Sequence, residues 1–186
     1  MNRSYLTFLF LLSGMLAYTQ SYPNYSLPDL SNNQNYIFTR TYQTAKTTEP
    51  LSVDHQDVVI ENITYLDGLG RPVQNITIDG AGDGNDLLNY FNYDEYGRES
   101  KQWLPYPVSG DRGSFRTGNM ETSIKYSYAY SFYDEFGGSG ISANPYSEIL
   151  FDDSPLNRLT KQAAPGLDWK MGAGNEIEID YESNSS

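Results

Sequence analysis

Strict alternation is the clearest pattern along the chain. In Ser123–Tyr133, Ile124, Tyr126, Tyr128, Tyr130 and Phe132 fall on one side, and Ser123, Lys125, Ser127, Ala129 and Ser131 on the other. A period of two predicts a strand with one buried face and one wet face, as antiparallel sheets allow. Near the C-terminus Ile177, Ile179 and Tyr181 alternate with Glu176, Glu178, Asp180 and Glu182. Four carboxylates in one row repel a like-charged neighbour, so they read as a solvated face and not as a metal or catalytic site. Shorter runs rich in Val, Ile, Thr and Tyr, set between turn residues, predict further strands at 36–43, 58–66, 72–78, 87–93, 99–104, 147–151 and 159–163, with the last at 176–181. No long stretch has convincing 3.6-residue periodicity. The expected fold class is therefore all-β, an antiparallel meander of hairpins.

The N-terminus departs from this pattern. Asn2 and Arg3 precede "YLTFLFLLSGML", an apolar run of twelve residues, followed by the small residues of "AYTQ". Such a run falls short of the roughly 20 residues that span a bilayer and has the layout of a secretory signal peptide. Residues 1–19 are expected to be that signal, cleaved before Gln20, with 20–35 a polar linker, 36–182 the β-rich domain and 183–186 a tail. The protein is then secreted or displayed at the cell surface, with no membrane association after cleavage. A buried first helix fits less well, because the polar, Pro-bearing "SYPNYSLPDLSNNQN" follows at once.

Composition narrows the chemistry. The 186-residue chain has 12 basic and 24 acidic residues, a formal charge of -12, and such a surface repels nucleic acid and anionic membrane. Cysteine is absent, which excludes disulfides, thiolate zinc sites and cysteine nucleophiles. Aromatic residues make up 15% of the chain, with 17 Tyr and 2 Trp.

A short signature recurs. Aligned on its glycine, "LDGLGRPV" (Leu66–Val73) matches "YDEYGRES" (Tyr93–Ser100), and "YDEFGGSG" (Tyr133–Gly140) repeats the first half, with Gly138 where arginine would stand. In a looser fourth copy, "FDDSPLNRLT" (Phe151–Thr160), Asn157 replaces glycine and two residues are inserted. The glycine-equivalent positions 70, 97, 137 and 157 lie 27, 40 and 20 residues apart, so the unit is irregular in length. Each copy reads as a hairpin turn. The aspartate (Asp67, Asp94, Asp134, Asp152) accepts backbone N–H bonds, while Gly70, Gly97, Gly137 or Asn157 takes the positive-φ position. Arg71, Arg98 and Arg158 open the return strand and either pair with the aspartate or stack on a tyrosine.

These turns resemble the tyrosine-aspartate (YD) repeats of the Rhs and teneurin family. The order "YLDGLGRPVQ", "YDEYGRESKQWLPYP", "EILFDDSPLNRLTKQAAPG" resembles the N-terminal domain of unknown function that precedes YD repeats in large secreted bacterial Rhs-type proteins, over roughly Tyr36–Tyr181. The resemblance implies a β-sheet strip that opens a spiralling shell, which in family members can enclose a C-terminal toxin or effector. The expected function is a non-enzymatic structural module, with the chain either a fragment or truncated reading frame of a longer polypeptide or a stand-alone relic. Its expected partner is the rest of such a polypeptide, joined by edge-strand addition near Glu176–Tyr181.

Other chemistries find too few parts. "DGAGDGNDLL" (Asp79–Leu88) holds one near-copy of a calcium-binding nonapeptide, and a single copy reads better as a hairpin loop. Gly80, Gly82 and Gly84 precede no helix that could receive a phosphate. The acid pairs Asp94/Glu95, Asp134/Glu135 and Asp152/Asp153 suggest a glycosidase, but adjacent strand residues point to opposite faces. His55 is the sole histidine and sits in a polar stretch, so zinc and Ser-His-Asp chemistry lack parts. No cofactor or metal is expected. The alternative is an extracellular carbohydrate-binding β-sandwich that stacks sugars on Trp103, Trp169 and exposed tyrosines.

Overall fold

Alternation does build the first sheet. In Val59–Leu66 every second residue, Val59, Glu61, Ile63 and Tyr65, is buried. The computed structural model describes residues 28, 30, 31, 33–43, 59–82, 84–131 and 142–183. The expected signal peptide, His55 and the third copy, with Asp134 and Gly137, lie outside these. The first sheet contains β1 (Asn35–Tyr42), β2 (Val59–Leu66), β3 (Pro72–Thr77), β4 (Asp86–Tyr90) and β6 (Tyr106–Val108), in that spatial order. The second contains β5 (Lys101–Trp103), β7 (Tyr146–Phe151), β8 (Leu159–Ala163) and β9 (Ile177–Glu178), again in that order. All described pairings are antiparallel. The protein is mostly β, in two antiparallel sheets with one short helix.

That helix, α1 (Met120–Ser131), corrects the expectation of a strand at Ser123–Tyr133. Asn119 caps it, accepting the Thr122 N–H on its side chain at 3.0 Å and the Ser123 N–H on its carbonyl at 3.1 Å. Met120, Ile124 and Ala129 are buried, whereas Tyr126 and Tyr130, expected in the core, are exposed. The positions Met120, Ile124 and Tyr128 form a helical i, i+4, i+8 row, and the same spacing is contained in a period of two. Alternation alone could not separate the two.

One core joins the sheets. Ile63, Tyr65, Ile76, Ile78, Leu88 and Tyr106 from the first sheet cluster with Trp103 of the second and Ile124 of α1. Trp103 packs against Tyr146 with ring centroids 4.6 Å apart and planes tilted by 48°, and it donates its indole N–H to Asn92 Oδ1 at 3.3 Å. Leu104 and Pro105 carry the chain from β5 in one sheet to β6 in the other. Gln102–Pro107, which the sequence reads as a strand end running into a Pro-defined turn, is thus a crossover whose last residues begin an edge strand among those described.

The inward face of the first sheet also buries Glu61, Gln74 and Asp86. Buried polar groups need partners, and the strap at 109–118 supplies them. Gly113 N–H donates to Asp86 Oδ2 at 2.6 Å, and Arg112 pairs with Glu61 at 3.3 Å and Asp79 at 2.7 Å. Gln74 accepts the Arg116 N–H at 2.9 Å and donates to its carbonyl at 2.7 Å. Tyr65 donates its hydroxyl to Gly113 O at 2.7 Å. Gly113 has φ 77°, and a Cβ there would lie 2.6 Å from Ile63 Cδ1, so only glycine lets the strap approach this closely.

The last predicted strand is shorter than expected, and its apolar side is open. Ile177, Ile179 and Tyr181 are 62%, 36% and 50% exposed. Glu178 pairs with Lys161 across β8 and β9, so the carboxylate row is partly engaged in the ladder it was expected to blunt.

Candidate functional site

The three described copies of the signature share one geometry. Asp67 N–H donates to Arg71 O at 2.9 Å, and Gly70 N–H donates back to Asp67 O at 3.0 Å. In the second copy the Asp94–Arg98 and Gly97–Asp94 bonds are both 2.9 Å. In the fourth, Asp152 N–H reaches Arg158 O at 2.8 Å and Asn157 N–H reaches Ser154 O at 3.1 Å. The expected positive φ is present throughout, at 79° for Gly70, 78° for Gly97 and 50° for Asn157.

Each aspartate then clasps its arginine. Oδ1 of Asp67 accepts the N–H groups of Leu69 and Arg71 at 2.9 Å, and Oδ1 of Asp94 does the same for Tyr96 and Arg98. Oδ2 accepts the guanidinium Nε–H at 2.8 Å in all three copies. In the fourth copy Arg158 N–H donates to Oδ1 at 3.0 Å, and Ser154, from the inserted residues, donates its hydroxyl to Oδ2 at 2.7 Å.

Donors aimed at a carboxylate favour its charged form. Asp67 is held below the ordinary 3.8, chiefly by the Arg71 backbone N–H. Burial works against the charge of Asp94, but the Arg98 backbone and side chain outweigh it and leave the value lowered. Asp152 falls to about 2, led by the Arg158 guanidinium and then the Ser154 hydroxyl.

The second copy corrects the expectation that every turn is a hairpin. The first joins β2 to β3 and the fourth joins β7 to β8, both as paired neighbours. The second lies between β4 and β5, whose ladders belong to different sheets. The same local hydrogen bonds therefore serve there as a corner between sheets.

Pairing and stacking were expected as alternatives for arginine, yet each arginine does both. Arg71 lies 4.2 Å over the ring of Tyr93, the aromatic that precedes the next copy's aspartate. Tyr93 is pinned from its other end by donating its hydroxyl to Pro72 O at 2.9 Å. Arg98 lies 4.5 Å over Phe151, which precedes the fourth copy's aspartate, and Arg158 lies 4.9 Å over Tyr181. The first two guanidiniums also approach a later copy's positive-φ residue. Arg98 Nη1 donates to Asn157 Oδ1 at 2.7 Å, and Arg71 Nη1 would be 3.0 Å from a Cβ on Gly97.

The family comes from the same stretch of chain. A family described as a domain of unknown function (DUF6443) matches residues 38–183, a span that contains all three clasps and both sheets beyond the first residues of β1. The chain belongs to this family. No curated protein matches it.

Beside the first clasp lies a cleft of about 590 Å³, lined by Asp67, Arg71, Tyr90, Asn92, Tyr93 and Phe115 among others. Its polar groups are engaged elsewhere: Arg71 with Asp67, Tyr93 with Pro72, and Asn92 with Glu121 and Trp103. Among the described residues no three acidic or histidine side chains gather as metal ligands. In the glycine-rich loop Asp79 and Asp86 turn to Arg112 and Gly113, not to a shared point. Sequence reasoning missed one feature of the turns. Leu69, Tyr96 and Leu156, each just before the positive-φ residue, are the exposed tips of their copies. The aligned position could have shown this, since all three are large and apolar.

Proposed function

We propose that this domain is a non-enzymatic structural module of an exported Rhs/YD-repeat-type protein. It opens a β-sheet shell that further repeats continue, and in that type of protein the shell can enclose a C-terminal toxin or effector. The observation that carries the reading is the linked row of clasps. Asp67–Arg71, Asp94–Arg98 and Asp152–Arg158 repeat one set of bonds; Arg71 reaches the leading aromatic of the second copy and Arg98 that of the fourth. Repeats that contact only their neighbours build quasi-one-dimensional assemblies. Edge strands with free ladders support growth by strand addition.

Of the aromatics in the carbohydrate-binding alternative, Trp103 is buried in the core and the ring of Tyr93 is covered by Arg71, whereas Trp169 and Tyr36, Tyr42, Tyr96, Tyr126, Tyr130 and Tyr181 are exposed. Thermal melts of the isolated chain at several concentrations, followed by circular dichroism and light scattering, test the module reading. Low, concentration-dependent, aggregating transitions are expected from a shell segment without its neighbour. A sharp, reversible melt of a monomer at high temperature overturns it, and quenching of Trp169 fluorescence by a panel of oligosaccharides would favour sugar binding.

A further inference from the structure

An open sheet leaves an unpaired backbone ladder on its outer strands, and such an edge accepts another strand unless it is blunted. Three of the four outer strands are blunted. β5, β6 and β9 are two or three residues long and carry Lys101, Pro107 and Glu178, residue types that discourage edge pairing. β1 has none of these devices. It runs for eight residues in unbroken register with β2, without proline, lysine or an acid, and its other side carries no strand among the described residues. Its one charge, Arg40, pairs with Glu61 at 2.7 Å. Tyr36, Ile37 and Tyr42 are 38%, 54% and 45% exposed along this edge.

The order of residues selects the partner. When a strand joins a second copy of itself antiparallel about a two-fold axis perpendicular to the sheet, both inward faces stay on one side, so opposed residues must come from the same face. The axis then passes through a residue of β1. Centred on Arg40, it would set two guanidiniums against each other. Centred on Phe38, it would put Tyr42 opposite Gln34, before the strand begins. Centred on Thr39, it uses the strand from Tyr36 to Tyr42: Tyr36 faces Tyr42, Ile37 faces Thr41 and Phe38 faces Arg40. Aromatic pairs, aromatic–cation pairs and β-branched pairs stabilise antiparallel ladders. Guanidinium and ring already meet on that face within the chain, with Arg40 5.4 Å over Phe38.

We infer that β1 is a self-recognition edge, at which two copies of this chain join antiparallel about Thr39 so that two five-stranded sheets become one continuous sheet. Charge favours this contact over others between copies. Each chain carries -12, and β1 brings no acid against its mate. The inference goes beyond the structural-module reading and uses neither the clasps nor the C-terminal strand, so its failure would leave that reading untouched.

The chain has no cysteine, so single cysteines introduced into the full chain read the contact directly. Thr39→Cys sets a thiol opposite its own copy, and mild oxidation is expected to give a covalent dimer. Ile37→Cys faces Thr41 instead, and should link poorly alone but efficiently when mixed with Thr41→Cys. The parent at about 0.1 mM is expected to sediment with twice the mass of one chain, and added salt should strengthen the pair by screening the acidic surfaces. Thr39→Lys sets two ammonium groups face to face and should weaken association at least about tenfold, with the circular dichroism of the parent retained, while an equimolar mixture with Thr39→Glu should restore it. Efficient linking of Ile37→Cys alone, or a dimer indifferent to Thr39→Lys, overturns the pairing about Thr39. A monomeric parent overturns the inference, whether slow amide exchange over Tyr36–Tyr42 shows the edge covered by another part of the chain or fast exchange shows it bare.

Discussion

At the scale of single residues, each turn has two constraints: a backbone that must pass through positive φ and a carboxylate that must stay charged. Gly97→Val meets both the left-handed strain and the Arg71 guanidinium 3.0 Å from the new Cβ. It is expected to lower stability by about 1–2 kcal/mol, the usual penalty for a side chain in that conformation, read as a fall in melting temperature. Gly97→Asn should lose much less. Asparagine tolerates positive φ, and at Asn157 it already accepts a hydrogen bond from Arg98 of the second copy. An equal fall for Val and Asn would refute the assignment of Gly97 as a backbone pivot.

The carboxylates set the acid limit. All three clasp aspartates have folded-state values depressed from 3.8, Asp152 to about 2. A depressed folded value means that the contribution is complete above the unfolded value and is lost as pH falls through the folded one. Melting temperature should hold above about pH 4 and fall steeply between pH 4 and pH 2. Asp152→Asn should melt lower at pH 6 and show a shallower fall over that acid range. An unchanged slope in this variant would exclude the fourth clasp as a contributor.

At the scale of elements, α1 depends on Asn119. Asn119→Ala removes the cap and is expected to cost about 1 kcal/mol, seen as a lower melting temperature with reduced ellipticity at 222 nm. Retention of both would show that packing of Met120 and Ile124 alone defines the helix start. This helix also marks where the sequence stopped being readable. The strands of both sheets other than β6 were legible from alternation and turn residues, with their ends within a few residues. The clasps were legible down to which residue takes positive φ. The tyrosine alternation satisfies helix and strand alike, and Tyr and Ser are indifferent helix formers. β6 was hidden because Pro105 and Pro107 read as a turn, although proline is accepted on an edge strand. The strap was illegible for a different reason. Glu61, Gln74 and Asp86 look like ordinary strand polars until Arg112, Gly113 and Arg116 arrive from 27 to 51 residues away. The same distance hid the arginine-to-aromatic links, since Arg98 meets a turn 59 residues on.

At the scale of the whole molecule, the acidic surface with its -12 charge carries three apolar points, Leu69, Tyr96 and Leu156. They make no contribution to the core, so replacing all three by serine should leave the melting temperature within about 2 °C, as surface changes of about 0.5 kcal/mol or less do. The same substitutions should raise the concentration at which static light scattering first detects association. A large loss of stability would mean that the tips are packed in solution.

The stacks between copies also have a direction. Arg71 reaches forward to Tyr93, Arg98 to Phe151 and Arg158 to Tyr181, and in every case the cation belongs to the earlier residue. In a chain synthesised from its N-terminus, the bonds within each clasp can therefore form before its long-range stack, and Arg98, 4.8 Å over Tyr96 of its own turn, is already partly covered when Phe151 follows.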